Sequence, residues 1–432
     1  MKPAHLWAAR ALIGLSPPSP EKIHQIQERA LRQLVQHAYH RVPFYRRLFD
    51  NHGISPKDIR KLEDLPRLPI SSRKKLQNTS LSDRIADGID PASLRRVKTS
   101  GSTGQPLTIC KTSIEKRLFW CYWNRAFHHF GGSLTDRRTG ISVPHHHHQR
   151  NLLKPLIKAM GIMRSEQINC CKPTKEIMAQ LRRSEFDILV GMPGMIYHLA
   201  DRTTKKDRQA IRPKYVELGG DTLTKPMRQR ISKTFGAPVR LTYGSHELSL
   251  IAWECTETGK MHTCDDALIV EILKDGRPAK PGETGELVAT NLISYAMPFI
   301  RYRQGDLVTQ GSPKCPCGAP FGTIKKVKGR VVDYIKLPGG QMLHPFTIIG
   351  PVVYEAGWVA KYQIVQHSLN SVSILIRPLR QPRKNELETL ERAVRKALQN
   401  KLRFKIKLVD KIAQIPGEKY RLVRSELTDG ST

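Results

Sequence analysis

A loop rich in glycine and hydroxyl side chains is the first segment of the chain that could carry chemistry. It reads Thr99, Ser100, Gly101, Ser102, Thr103, Gly104, Gln105 and Pro106. Such a loop can wrap a polyphosphate, because glycine leaves backbone N–H groups open and each hydroxyl adds a donor. No Gly-Lys-Ser/Thr follows it, which excludes a Walker A loop. Taken alone, the pattern fits an ordinary turn equally well.

Four residues in two separate segments could hold a metal ion: Cys255, His262, Cys315 and Cys317. Three thiolates and one imidazole in a group of four are typical of structural zinc. The ion would join two hairpins, because the two segments lie far apart in the sequence. Cys264 is an alternative ligand to His262, and buried or free thiols would explain the same cysteines. Eight cysteines in 432 residues are too few and too scattered for a disulfide framework.

Further polar segments follow the loop in a fixed order. They are Gly219-Gly-Asp221, Tyr243-Gly-Ser-His-Glu247, Arg301-Tyr-Arg-Gln-Gly-Asp306, Gly329-Arg330, and Lys419 in a Pro-Gly-Glu-Lys stretch. This ordered set resembles the adenylate-forming superfamily of acyl-CoA synthetases, adenylation domains and luciferases. More narrowly, it resembles the phenylacetate–CoA ligase family in its CapK-like branch, which is associated with capsule biosynthesis. The resemblance extends over most of the chain, and the order of the motifs makes it specific.

The resemblance implies a nucleotide site built from several segments. The loop 99–104 would hold the β- and γ-phosphates of ATP. The adenine side of the site would be formed by Gly219, Gly220, Asp221, Tyr243, Gly244 and Ser245. Glycine suits this place because it lets the backbone approach a ligand closely. Asp306 would accept hydrogen bonds from both ribose hydroxyls, and Arg330 would contact ribose or phosphate at the hinge between domains.

Two residues would carry the catalytic charges in such a family member. Glu247 would hold Mg²⁺, a hard cation that prefers carboxylate oxygen. Lys419 would neutralise the charge that builds on the α-phosphate and the substrate carboxylate, a type of contact typically worth about 3–4 kcal/mol. The chain departs from the family pattern at two positions. Gln105 replaces a lysine of the phosphate loop, and Val332 replaces the aspartate about which the small domain pivots.

The implied activity is that of an AMP-forming acid–thiol ligase. ATP would convert a carboxylic acid, expected to be aromatic, into an acyl-adenylate with release of pyrophosphate. The acyl group would then pass to coenzyme A or to a carrier-protein thiol. Two alternatives stay open: a catalytically degenerate nucleotide-binding member that acts in polysaccharide or cell-envelope biosynthesis, and a basic nucleic-acid-associated protein. The sequence specifies neither the acid nor the pathway, and a homodimer is compatible with it.

The formal net charge of +34 arises from 72 basic and 38 acidic residues. A field of this size attracts anions. The basic residues are spread along the chain, aromatic residues make up 6%, and no zinc-finger, RRM or KH motif occurs. We therefore expect no specific nucleic-acid partner. No window has the roughly 20 apolar residues of a transmembrane helix, and no signal peptide is evident, so the sequence predicts a cytoplasmic protein.

Short apolar strands alternate with polar helices between residues 185 and 250, which predicts a mostly parallel sheet. Residues 268–310 have an antiparallel pattern. After Arg330 the pattern restarts with its own strands and a helix. The sequence thus predicts an α/β fold, that of adenylate-forming enzymes. A large N-terminal domain over 1–330 would hold mixed and parallel sheets flanked by helices, and binds ATP and the acid. A small mobile α+β lid domain would cover 331–432.

Overall fold

The computed structural model describes residues 8, 10–99, 107–142, 161–162, 164–170, 172–221, 223–328, 335–337, 342–343, 358–398, 402–412 and 423–427. The chain forms two compact units. The first unit comprises Met1–Val97, Leu107–Leu134 and Arg240–Arg330, and the second comprises Lys98–Pro106, Thr135–Val239 and Val331–Thr432. Within the described ranges, no helix combines the length and the apolar character needed to cross a bilayer. The predicted boundary between residues 330 and 331 stays a prediction.

The helices, in chain order, are α1 Pro20–Arg41, α2 Pro43–Asp50, α3 Arg73–Gln77, α4 Leu81–Arg84, α5 Ser113–His129, α6 Thr174–Arg183, α7 Pro193–Asp201, α8 Lys205–Ala210, α9 Lys225–Phe235 and α10 Lys384–Leu398. The strands are β1 Ser71–Ser72, β2 Arg95–Lys98, β3 Thr108–Lys111, β4 Arg138–Ser142, β5 Ser165–Asn169, β6 Ile188–Gly191, β7 Tyr215–Leu218, β8 Val239–Ser245, β9 Ser249–Glu254, β10 Met261–Thr263, β11 Leu268–Lys274, β12 Arg277–Pro278, β13 Thr284–Asn291, β14 Tyr302–Gln310, β15 Thr323–Lys328, β16 Ile335–Lys336, β17 Met342–Leu343, β18 Val359–Ser368, β19 Ser371–Pro378, β20 Arg403–Leu408 and β21 Val423–Ser425.

The helices α1 and α2 of the first unit are separated by a proline. Ser19 caps α1 by accepting a hydrogen bond from the backbone N–H of Lys22. Pro43 restricts the residue before it, so Val42 is extended (φ −120°, ψ 105°) and α1 ends at Arg41. The same proline then occupies the first position of α2, where its missing N–H costs nothing.

An antiparallel sheet forms the body of the first unit, in the strand order β12-β11-β13-β14-β15-β10-β9-β8. The short strand β1 pairs with β14 in parallel, with Ser71 opposite Tyr302. This pairing brings the segment that precedes α3 onto the strand that contains Asp306. The arrangement agrees with the antiparallel pattern predicted for residues 268–310.

The second unit contains a parallel sheet and a smaller mixed sheet. The parallel sheet has the order β7-β6-β4-β5. The smaller sheet has the order β20-β19-β18-β21. The strands β16 and β17, which precede it in the sequence, pair with each other in a separate two-stranded sheet. Leu390 and Val394 of α10 belong to one core cluster with Ile374 and Ile376 of β19. The predicted α/β class, with sheets flanked by helices and a smaller C-terminal sheet domain, is confirmed.

Arg301 fastens three parts of the first unit together from a buried position. Its guanidinium forms a two-point ion pair with Glu271 of β11, at 3.0 and 2.8 Å. A further nitrogen donates to the carbonyl oxygens of Pro66 and Leu68, at 2.9 and 2.7 Å. The backbone of Arg301 has φ +42°, a left-handed conformation that non-glycine residues adopt rarely. This residue therefore fixes the start of β14 and the segment that leads into β1.

We expect Arg301→Met to lower the free energy of unfolding of the first unit by about 3–5 kcal/mol, because Glu271 is left as an unpaired buried charge. Arg303→Met is the matched control, since the ion pair of Arg303 with Glu286 is more than 40% exposed on both sides and should contribute less than about 1 kcal/mol. Calorimetric unfolding of both variants checks this. Equal losses in the two variants would contradict the role given to Arg301.

Candidate functional site

The structure brings Tyr243 and Asp306 into direct contact. The Tyr243 hydroxyl donates to Asp306 Oδ2 at 2.8 Å, and the Gln304 amide donates to the same oxygen at 2.6 Å. In the sheet, β8 and β14 are separated by three other strands. Neighbouring strands lie about 4.8 Å apart, so the sheet must curl strongly for these side chains to meet. Two residues predicted to bind nucleotide thus lie together and hold one carboxylate in a fixed orientation.

Glu247 lies in the turn between β8 and β9, and it is 3% exposed. The Tyr302 hydroxyl donates to its Oε1 at 3.2 Å, and the Arg73 guanidinium lies 3.4 Å from the same oxygen. The Asn291 amide donates to the backbone carbonyl of Glu247 at 2.9 Å. The carboxylate is therefore held by β14, by α3 and, through its own backbone, by β13.

Lys111 adds a second cation to this site. It is 7% exposed, and its ammonium donates to the carbonyl oxygen of His246 at 2.6 Å while lying 3.7 Å from the centre of the Phe119 ring. Burial lowers the pKa of Lys111 to about 7, and the carboxylates of Glu247 and Glu115 act in the opposite direction. The sequence analysis missed this residue. The sequence signal for Lys111 was its place at the end of an otherwise apolar strand that directly follows the phosphate loop.

The turn that carries Glu247 depends on a glycine. A Cβ atom at Gly244 would lie 2.4 Å from the carbonyl oxygen of Ser249 and 2.8 Å from the Trp123 ring. Neither neighbour can retreat far, because one is backbone and the other is a packed aromatic ring. Ser249 itself has φ +67°. The tight crossing from β8 to β9 thus sets the position of the acidic side chain.

In the second unit, Gly219, Gly220 and Asp221 follow directly on β7. The N–H of Gly219 donates to the carbonyl oxygen of Gly191 at 3.3 Å, at the end of the neighbouring parallel strand β6. Gly220 has φ +83°, which suits glycine. The segment therefore lies at the carboxyl edge of a parallel sheet, where such sheets bind ligands.

Several predicted site residues cannot be placed. Thr99 is described and buried. Residues 100–104 of the same loop lie outside the described residues, as do Arg330 and Lys419, and the same holds for the two departures at Gln105 and Val332. The roles given to all of these residues stay predictions.

Cys255, His262, Cys315 and Cys317 lie together in the first unit. Their four ligand atoms are all within 4.8 Å of one another, and all but Cys317 are buried. The sulfurs of Cys255 and Cys315 are 3.8 Å apart, and the sulfur of Cys317 lies 3.4 Å from His262 Nε2. A tetrahedral zinc ion with Zn–S of about 2.3 Å and Zn–N of about 2.0–2.1 Å requires ligand separations of roughly 3.5–3.8 Å. The four residues therefore fit such an ion.

The side chains around the cluster distinguish its members from Cys264, which lies in the same region. The thiol of Cys264 points to the Asp266 carboxylate, 3.7 Å away, and is not part of the group of four. His262 packs against the rings of Trp253 and Phe321. Burial lowers the pKa of His262 to about 4, so the imidazole is neutral at physiological pH and keeps a lone pair.

The chain is similar in sequence to known proteins along most of its length. It is 28% identical over 364 residues to the phenylacetate-coenzyme A ligase of Thermus thermophilus. The matched region covers 80% of this chain and 78% of that protein. It is 29% identical over 307 residues to the phenylacetate-coenzyme A ligase of Escherichia coli, which covers 67% of each. Residues 338–426 match the family described as the CapK C-terminal domain.

Among solved structures, a 2-hydroxyisobutyryl-CoA ligase in complex with 2-HIB-AMP and CoA, in the thioesterification state, matches with a TM-score of 0.65. The match has 20% identity and covers 97% of this chain and 92% of that one. At this identity the likeness establishes the fold alone: the chain has the fold of the adenylate-forming CoA ligases. By sequence it is similar to the phenylacetate–coenzyme A ligases over most of its length, and its residues 338–426 are similar to the CapK C-terminal domain. The resemblance found in the motifs is confirmed.

The Glu247 site leads to a prediction about divalent cations. Arg73 occupies one side of Glu247 Oε1, so Arg73→Met should leave a more anionic pocket that binds Mg²⁺ better. We expect 10 mM Mg²⁺ to raise the melting temperature of the nucleotide-free variant by about 2–4 °C more than that of the unaltered protein. The double variant Arg73→Met/Glu247→Gln should lose this response. If all three proteins respond alike, Glu247 is not the cation ligand.

Proposed function

We propose that the chain is an AMP-forming acid–thiol ligase. It joins a carboxylic acid to AMP with release of pyrophosphate, and then transfers the acyl group to the thiol of coenzyme A. The observation that carries this proposal is the contact of Tyr243 with Asp306, in the same unit as the buried Glu247, in a relative of the phenylacetate–coenzyme A ligases. We further propose an aromatic acid as substrate, because the relatives are phenylacetate-coenzyme A ligases.

A free carboxylic acid must be activated before a thiol can displace its oxygen. A carboxylate is a poor acyl electrophile because its leaving group would be oxide. A mixed anhydride with AMP has a good leaving group. In the proposal, Asp306 accepts hydrogen bonds from the ribose hydroxyls of ATP, with Tyr243 and Gln304 holding the carboxylate still. Fixed geometry of this kind lowers the barrier by keeping the reacting groups oriented.

The charges around Glu247 suit the phosphate chemistry. Bound Mg²⁺ would screen the phosphates of ATP, and Glu247 is the carboxylate proposed to hold it. Arg73 brings a permanent positive charge to this buried place, and Lys111, whose pKa is lowered to about 7, brings one that is about half present near pH 7. A low-dielectric environment strengthens their effect on negative charge that develops during the reaction. Lys419 is proposed to add a further cation at the α-phosphate.

We propose that the group of four formed by Cys255, His262, Cys315 and Cys317 holds structural zinc. The ligand set is complete without water, which is typical of structural rather than catalytic zinc. Cys255 precedes the turn into β10, whereas Cys315 and Cys317 lie in the loop before β15. An ion bound there would fasten these two loops of the curled sheet together.

Acid-dependent exchange of pyrophosphate into ATP tests the proposed function. We expect exchange with at least one member of a panel of aromatic acids, and consumption of coenzyme A when it is added. Asp306→Asn should lower exchange about 10- to 100-fold by weakening hydrogen bonds to a charged acceptor. Glu286→Gln, on an exposed side chain of β13, is the control and should keep full activity.

The outcomes of this assay separate the proposal from its main alternative. Tight ATP binding without exchange for any acid would indicate the catalytically degenerate, nucleotide-binding member. Equal activity of the Asp306 and Glu286 variants would show that the Tyr243–Asp306 contact is not part of the nucleotide site.

The zinc proposal has its own test. Protein purified without chelators should contain about one equivalent of zinc by elemental analysis. Cys317→Ser should reduce the zinc content and the melting temperature together, because the ion links two loops. Cys264→Ser changes a buried thiol outside the group of four and should keep the zinc. Less than about half an equivalent in the unaltered protein, or the same loss in both variants, would contradict the proposal.

A further inference from the structure

One buried ammonium group in the first unit has hydrogen-bond donors that the described chain does not use. Lys111, the last residue of β3, is 7% exposed, and its Nζ donates to the carbonyl oxygen of His246 at 2.6 Å. A lysine ammonium has three N–H groups. Among the residues that the structure describes, this Nζ has no second hydrogen-bond acceptor and no carboxylate within 4.0 Å. Two N–H groups of a buried cation are therefore left for a ligand.

The two carboxylates that act electrostatically on Lys111 are bonded elsewhere. Glu115 accepts hydrogen bonds from three backbone N–H groups, at 2.6 to 2.8 Å. Glu247 uses Oε1 for Tyr302 and Arg73, and its Oε2 has no hydrogen-bond partner among the described residues. Burial outweighs both carboxylates and lowers the pKa of Lys111 to about 7. The site thus combines a cation without a close counter-ion and a carboxylate oxygen that is available to a metal ion.

The position of Lys111 favours the acid over the phosphates of ATP as its partner. The loop proposed to hold the phosphates precedes β3, which starts at Thr108, and Lys111 lies three residues further along, about 10 Å away. Its Nζ is 3.7 Å from the centre of the Phe119 ring. Phe119 and Trp123 are one turn apart on α5, and the Trp123 ring lies next to the backbone of Gly244. The ammonium therefore adjoins an aromatic wall, which suits the carbon skeleton of an aromatic acid better than a polyphosphate.

A single carboxylate matches what Lys111 leaves open. It carries one negative charge, and its two oxygens only accept hydrogen bonds. Formation of an acyl-adenylate brings this carboxylate against the α-phosphate, and the two anions repel each other. A buried cation is poorly screened, so it offsets this repulsion more strongly than a cation in water does. Lys111 is also bonded to the residue next to Glu247, which couples its position to that of the proposed metal ligand.

From this geometry, and resting on the proposed function, we infer that Lys111 binds the carboxylate of the acid and orients it for attack on the α-phosphate. One carboxylate oxygen forms the new bond to phosphorus while the bond between that phosphorus and pyrophosphate breaks. Lys111 keeps its proton throughout. It is then a catalytic residue that contacts the acid, whereas Glu247 is proposed to hold the metal ion. Once the adenylate has formed, the acyl group carries no charge, and Lys111 contributes little to the transfer to the thiol.

The first test measures binding without turnover. The probes are phenylacetate and benzoate, each compared with its neutral amide. Calorimetric titrations are made with Mg²⁺ and α,β-methylene-ATP, which cannot release pyrophosphate. Lys111→Met removes the charge at similar size, and Lys111→Gln keeps an N–H donor without the charge. The matched control, Lys116→Met, alters an exposed lysine in the first turn of α5.

We expect the unaltered protein and the Lys116→Met control to bind at least one of the acids more tightly than its amide. Both Lys111 variants should bind that acid about 10- to 100-fold more weakly, because hydrogen bonds between charged groups are the strong ones. Binding of the amide should change far less, since the amide carries no charge. The variants should therefore lose the preference for the acid.

A second measurement separates a role in catalysis from a role in folding. Synthetic phenylacetyl-AMP contains no free carboxylate. Lys111→Met should therefore convert it with coenzyme A into the thioester at nearly the rate of the unaltered protein. The same variant should lower acid-dependent exchange of pyrophosphate into ATP about 100-fold, as expected for the loss of a charge at the reacting group.

The inference would be overturned if the unaltered protein bound neither acid, or bound each acid and its amide equally. Loss of thioester formation together with exchange in both Lys111 variants would assign Lys111 a structural role instead. An increase in KM for ATP, with KM for the acid unchanged, would assign the ammonium to the phosphates. A preference for an acid over its amide without any exchange would refute the ligase proposal and leave the role of Lys111 in binding the acid intact.

Discussion

Burying the carboxylate of Glu247 forces much of the first unit into its arrangement. A buried carboxylate costs several kcal/mol unless opposite charge and hydrogen bonds compensate it. Here the compensation comes from Arg73 and Tyr302, with the Lys111 ammonium also close by. These residues belong to α3, β14 and β3, which are far apart in the sequence. The charge balance of one side chain thus requires that three distant segments meet.

Two further features of the first unit support this arrangement. Arg301 joins the backbone at Pro66 and Leu68 to Glu271, and so sets the path of the chain into β1 and α3. If the cysteine–histidine group of four holds zinc as proposed, the ion would join the turn after β9 to the loop before β15. Arg301 and such an ion would together stiffen the curled sheet on which the contact between Tyr243 and Asp306 depends. Placing the acidic groups on such a braced scaffold preserves their geometry.

Local signals in the sequence predicted much of the fold. The alternation of strands and helices predicted between residues 185 and 250 is observed, and the helix Lys225–Phe235 there ends at the left-handed cap Gly236. The four zinc-type ligands were selected by residue type alone, and the structure brings them together. Lys111, Arg73 and Arg301 were missed as a charge network. Their partners are set by tertiary contacts across long stretches of chain, which no local periodicity encodes.

The first unit is assembled from three stretches of chain that are interrupted by the second unit. This division has a consequence for how the protein folds during synthesis. The carbonyl groups of Pro66 and Leu68 must wait for Arg301 to be synthesised before their hydrogen bonds to it can form. At translation rates of about 5–20 residues per second, that delay is on the order of 10–50 seconds. The parallel strands β4 to β7 are complete earlier. For much of its synthesis the nascent chain therefore lacks the hydrogen bonds that set the path of the segment around Leu68.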